Sequence, residues 1–183
     1  MKALTLCNQM KLENLVKALF LLSATGAWAA DLDSVSELAA TSELEFQNTI
    51  STANLGVIYQ EGNLNQVDAS QLGTLNYLSA LQEGYRNYLS ASQAGNENVV
   101  ISRQKGEDNI AALLQAGYEN LILINQIGFA HQAGIAQFGI QNSAQVNQIG
   151  AYHNVDIYQS GNGLHTSVTQ KGTAITTIIN QYN

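Results

Sequence analysis

His131 and His153 hold the same place in alternate segments of the chain, each five residues after a glutamine, Gln126 or Gln148, where neighbouring segments carry asparagine. Two imidazoles held one above the other have chemistry available. They could share a metal ion, or they could resist joint protonation and so respond to pH in the histidine range. No third ligand is spaced to complete a metal site, so the pair is read as two imidazoles replacing amides in a turn, with metal binding and pH sensing as the alternatives. The carboxylates offer less. Asp68, Asp108 and Asp156 occupy different places in their segments, and no nucleophile, base and orienting group converge, which argues against an enzyme, a cofactor and a small-molecule substrate. The sole cysteine, Cys7, precedes the small-x-small pattern Ala27-Trp28-Ala29, so residues beyond 29 carry no thiol for a disulfide, a nucleophile or a metal.

What positions these residues is a grid. Gln60, Gln71, Gln82, Gln93, Gln104, Gln115, Gln126, Gln137, Gln148, Gln159, Gln170 and Gln181 recur every 11 residues without insertion or deletion. Two residues after each of the first eleven comes a glycine: Gly62, Gly73, Gly84, Gly95, Gly106, Gly117, Gly128, Gly139, Gly150, Gly161 and Gly172. Five residues after seven of them comes an asparagine: Asn65, Asn76, Asn87, Asn98, Asn109, Asn120 and Asn142. A period this strict means one structural unit copied and stacked.

With each glutamine as position 0, positions 7 and 9 are apolar or small in every unit, as in Leu78/Ala80, Ile122/Ile124 and Val155/Ile157. Side chains on a strand alternate faces, so positions 5, 7, 9 and the next glutamine share one face, the interior, and positions 6, 8 and 10 point outward. An 11-residue period also equals three helical turns. Glycine in every unit would cost a helix roughly 1 kcal/mol each, and the alternation has a period of two, so the unit is a strand. The expected strand is about seven residues long, positions 5 to 11, with a short glycine turn around positions 1 to 4. Two units make one rung. The fold class is therefore all-β: a β-solenoid of about six strand-turn-strand rungs forming two parallel, amyloid-like sheets, over residues 49–183. The first unit is degenerate, with Thr49 in place of glutamine but Asn54, Gly56 and Ile58 retained.

Burying an amide without partners costs about 1–3 kcal/mol. A glutamine stacked on an identical glutamine donates to one neighbour and accepts from the other, and the same holds for the asparagines at the turn edge. The repeated Gln, Asn and Gly residues are thus read as builders of the fold, not as a ligand site. No capping helix, proline or charge cluster follows Gln170, so open terminal rungs are expected to template a further subunit.

Before the repeats, Lys2, Lys11 and Lys17 lead into the apolar run Ala18–Leu22, which is too short to span a bilayer. Residues 1–29 read as a cleaved signal peptide, with Met1 or Met10 as start, and residues 30–48 as an export or targeting segment. Beyond residue 29, four basic side chains face thirteen acidic ones, which repels phosphate backbones and argues against nucleic acid as a partner. Proline is absent throughout, which suits uninterrupted strand pairing. Charges gather near the glycines. Glu83 and Lys105, two repeats apart, should stack as an opposite-charge pair that sets register. Several outward positions are apolar. Val99, Ile101, Leu121 and Leu123 fall on one sheet, and Ile110, Ala112 and Leu114 on the other, as a possible outer contact face.

The unit Gln137-Phe138-Gly139-x-x-Asn142-x-Ala144-x-x-x-Gln148, and Gln60 to Gln71 with Val67 in the alanine slot, resembles the curlin repeat. The resemblance covers about residues 46–183. It implies a secreted subunit of curli-type fibres, a functional amyloid of the biofilm matrix that mediates adhesion. The implied partners are further copies of itself, the other curlin subunit and the curli-type outer-membrane export and assembly machinery. The family has a major, fibre-forming subunit and a minor one that nucleates polymerisation at the cell surface. Residues 31–48 lack the glycines that usually open the major subunit, and the repeats carry bulky apolar residues and turn charges, which resembles the minor type more. The final units depart from the pattern, with Leu164 and Ile175 replacing asparagine.

Overall fold

Twelve strands follow one another without a helix across residues 53–183, the residues that the structure, a computed structural model, describes. The expected signal peptide and export segment lie outside them. The strands are β1 (Leu55–Asn63), β2 (Gln66–Thr74), β3 (Tyr77–Tyr85), β4 (Tyr88–Asn96), β5 (Val99–Glu107) and β6 (Ile110–Tyr118), followed by β7 (Leu121–Phe129), β8 (Gln132–Ile140), β9 (Ser143–Ala151), β10 (Asn154–Asn162), β11 (His165–Thr173) and β12 (Thr176–Tyr182). Odd strands pair in order into one six-stranded sheet and even strands into another. Every pairing is parallel and offset by two repeats, so that Gln60 lies beside Gln82, Gly62 beside Gly84, and Leu78 beside Val100. The all-β solenoid of six rungs and two parallel sheets expected from the 11-residue grid is the fold observed.

Between the sheets lies a thin apolar core. Leu78, Leu89, Val100, Leu113, Ile122, Ile135, Val146, Val155 and Ile157 are buried and belong to one cluster, all drawn from positions 7 and 9. Val67 and Ile179 close it at either end. The first strand is exposed along its whole length, with Ile58 at 49% even though it occupies a core position.

The strands are longer and the turns shorter than the sequence suggests. Each glutamine-glycine pair closes a nine-residue strand that runs from position 6 to position 3 of the next unit, leaving two residues to turn. The left-handed turn residue is at position 4, and it is any residue: Leu64, Arg86, Asp108 and Tyr152 all have φ between 53° and 58°. Glycine serves another purpose. Gly84 and Gly106 have φ of 120°, and a Cβ at Gly84 would overlap the carbonyl oxygen of Gly106 on the next rung. The glycines therefore let the strand bend while the rungs stay within hydrogen-bonding distance. The turns themselves continue the ladder, since the Arg86 N–H donates to the Asn63 carbonyl and the Asp108 N–H to the Tyr85 carbonyl, both at 3.0 Å.

On the outward face the two sheets differ. Ala112, expected to be exposed, is 3% exposed. It lies between Ser90 and Gly134 on neighbouring strands, and Ile110 and Leu114 flank it on the same face, so its single methyl sits below the taller neighbours. Ile110 and Leu114 are themselves half-buried.

Candidate functional site: the buried amide columns

Each interior glutamine sits at position 0, the last inward-facing position before the strand bends, and alternation aims its amide between the sheets. The Nε2 group of Gln82 donates to Oε1 of Gln104 at 2.7 Å, Gln104 to Gln126 at 2.9 Å, and Gln126 to Gln148 at 2.9 Å. The second column, Gln93 to Gln115 to Gln137 to Gln159, is bonded the same way at 3.0, 3.0 and 2.8 Å. Gln60 and Gln71 head the columns and are less buried. Gln170 and Gln181 end them, receiving bonds of 3.0 and 2.7 Å.

The second Nε2 proton has a partner that the repeat pattern does not reveal. It reaches across to a backbone carbonyl on the facing sheet, from the strand that precedes its own: Gln82 to Gln66 at 3.0 Å, Gln104 to Tyr88 at 2.9 Å, Gln126 to Ile110 at 3.0 Å. Each interior amide thus spends both protons and receives one bond, while tying the two sheets together. A side chain that would be costly to bury alone is satisfied by its copies and by the opposite strand.

The asparagines form two further columns at the turns, with the opposite polarity. Oδ1 of Asn76 accepts both the backbone N–H and the Nδ2 proton of Asn98, at 3.1 and 3.0 Å, and Nδ2 of Asn98 also reaches the Gly117 carbonyl at 3.0 Å. Asn87, Asn109 and Asn120 are buried in the same arrangement; Asn142 is buried too, but its Nδ2 donates to the Phe138 and Gly161 carbonyls, and Asn65 is half-buried. Asn54 opens one column, accepting from Asn76 at 3.0 Å, and its identity with the repeat asparagines was the signal for it. Within the columns each glutamine donates to the later rung, whereas each asparagine Oδ1 accepts from the later rung, so the stack has a direction.

His131 and His153 occupy the same column as Asn65, Asn87 and Asn109, both buried, with ring planes 3° apart and centroids 5.0 Å apart. Burial holds the His131 ring below the usual histidine range, and the neighbouring His153 adds to this. Among the described residues no group of three His, Cys, Asp or Glu is placed to hold a metal ion. At the last rung, Thr166 and Thr177 stand in core slots and bond to the column ends. The Thr166 hydroxyl donates to Oε1 of Gln181 at 2.6 Å, and Nε2 of Gln170 donates to the Thr177 hydroxyl at 3.0 Å.

Exposed charges line the turns. Lys105 Nζ lies 2.8 Å from a Glu83 oxygen on the adjacent rung and holds that carboxyl below its ordinary range. Arg86 and Asp108 pair likewise at 2.8 Å. Glu97 and Glu119 stack on one column, and Tyr118 donates to Glu97 at 3.2 Å. The two carboxylates, Glu119 foremost, push the Tyr118 hydroxyl up to about 12. On the outer face of the odd-numbered sheet Ile101 is 42% exposed, while Val99, Leu121 and Leu123 are half-buried. Ile101 and Leu123 line an open depression with Asn125, Gln145 and Asn147.

Geometry of this kind defines a class: a parallel β-solenoid whose buried amides are completed by copies of themselves. Within that class the chain carries the curlin associated repeat, which its residues 117–150 and 142–172 each match. Neither a curated protein nor a solved structure matches the chain. Its repeat and fold make it a curli-type structural subunit.

Proposed function

We propose that this chain is exported through the periplasm and outer membrane and built into extracellular curli-type functional amyloid fibres, as the minor subunit that nucleates polymerisation at the cell surface and thereby supports biofilm formation and adhesion. One observation carries the reading: each rung presents to the next the same row of backbone groups and a glutamine amide in each sheet, two repeats further along the chain and in register. A further rung from another chain with the same repeat completes the same bonds as an internal one. The partners are further copies, the other curlin subunit and the curli-type export and assembly machinery. The uniform ladders also suit a major, fibre-forming subunit, which is the second reading.

Trace addition of the purified chain to a purified major curlin subunit, followed by thioflavin fluorescence, separates the two. Abolition of the lag supports nucleation. Strong polymerisation of the chain alone, with no effect on the lag of the other subunit, supports the bulk role. Absence of thioflavin-positive, cross-β material in either case removes both.

A further inference from the structure

We propose that His131 and His153 form a pH-sensitive lock in the amide column, closed only while both rings are neutral, so that acid weakens the stack at this pair of rungs and with it the assembly of the chain. The effect on assembly rests on the fibre reading above; the lock itself rests on the column geometry.

Hydrogen bonds assign the protonation state. Nδ1 of His131 faces the His153 N–H at 3.3 Å, and Nδ1 of His153 faces the Ile175 N–H at 3.2 Å. A backbone N–H only donates, so both Nδ1 atoms carry lone pairs. Nε2 of His131 lies 3.1 Å from the Ile127 carbonyl and Nε2 of His153 3.2 Å from the Ile149 carbonyl. A carbonyl only accepts, so both Nε2 atoms carry the proton. Each ring is the neutral Nε2–H tautomer. Each copies the asparagine it replaces, as in the column where Asn120 Oδ1 accepts the Asn142 N–H and Asn142 Nδ2 donates four residues back to the Phe138 carbonyl.

Protonation breaks the copy. An added Nδ1 proton points at an N–H, leaving two donors face to face and a buried backbone group without an acceptor. It also places like charges on rings whose centroids are 5.0 Å apart. Compensation is missing from the surroundings. Strands β7, β8 and β9, which flank the pair, contain no charged residue. Above and below in the column stand Asn109 and Ile175, and the adjoining turn residues are Phe129, Ala130, Ala151 and Tyr152. On the next elements, Glu107 and Asp108 lie in the preceding turn, Asp108 paired with Arg86; Asp156 lies on an outward position of β10, and β11 brings His165 and the cation Lys171. Asparagine at the same slots carries no such liability.

Because the folded His131 titrates below the free value of about 6.5, the unfolded chain takes up its proton first as pH falls. Stability from this site is therefore complete above the free value and is lost as pH drops through it toward the folded value. The test compares the full chain with H131N/H153N, which restores the repeat asparagines, and with H165N, which alters an exposed histidine. Between about pH 7.5 and about pH 5, either side of the free histidine value, the denaturation midpoint of the natural chain and of H165N should fall further than that of H131N/H153N. The assembly lag should lengthen several-fold in the first two and less in the third. Imidazole nitrogen NMR shifts should show two Nε2–H rings at neutral pH. Equal pH losses in all three chains, or a proton on either Nδ1 at neutral pH, would overturn the lock. If H131N/H153N does not fold, H153N alone is read the same way. If no chain forms fibres at either pH, the fibre reading falls while the denaturation comparison still decides the lock.

Discussion

Gln104 donates one Nε2 proton to Gln126 on its own sheet at 2.9 Å and the other to the Tyr88 carbonyl on the facing sheet at 2.9 Å. It is fully buried, so one planar group serves both as a link in a column and as a strap across the core. Replacing it with a shape-similar apolar residue removes the strap and cuts the column at once.

Gln104→Leu should therefore destabilise the folded chain by about 1–3 kcal/mol for each group it orphans, chiefly Gln82 Nε2 and Gln126 Oε1. Gln60→Leu, at an exposed first rung, should cost much less. Chemical denaturation of the two variants decides the point; equal losses would mean that the buried column adds nothing.

Gly106→Ala places a Cβ against the Gly128 carbonyl of the next rung at a φ of 120°. It should prevent the rungs from closing, seen as loss of β circular dichroism. At Gly163 no atom lies within 4 Å, and φ is 67°, the ordinary left-handed turn region. Gly163→Ala should fold with a penalty of about 1 kcal/mol.

Ile178 and Ile179 lie on β12, whose only strand partner among the described residues is β10. Adjacent residues of a parallel strand direct their N–H groups to opposite sides. Proline at one removes a bond to β10, and at the other removes a donor offered to an incoming strand. Both Ile178→Pro and Ile179→Pro should slow fibre growth. Unchanged thioflavin kinetics would count against growth through this edge.

Ile101 and Leu123 are neighbours on adjacent strands of the outer face. Changing both to lysine should leave the β circular dichroism intact while reducing lateral bundling of fibres or their attachment to surfaces, as seen by electron microscopy and adhesion assay. Bundling and attachment equal to those of the natural chain would show that the apolar outer positions merely suit a strand.

The period of Gln60 to Gln181 was enough to read strands, two sheets, a register of two repeats and the membership of each column, because alternation and repetition are properties of a line of residues. The pairings Glu83 with Lys105 and His131 with His153 follow from spacing alone. Other features needed the sheets to face each other. The Gln82 bond to the Gln66 carbonyl depends on the distance across the core, which no repeat encodes. Strand length escaped the sequence because Gly84 looks like a turn residue, although it bends a strand, and Arg86, with no special side chain, makes the turn. The neutral tautomers of His131 and His153 depend on whether a donor or an acceptor meets each ring nitrogen. Only the tertiary structure decides that, since backbone groups look alike in sequence and differ in where they point.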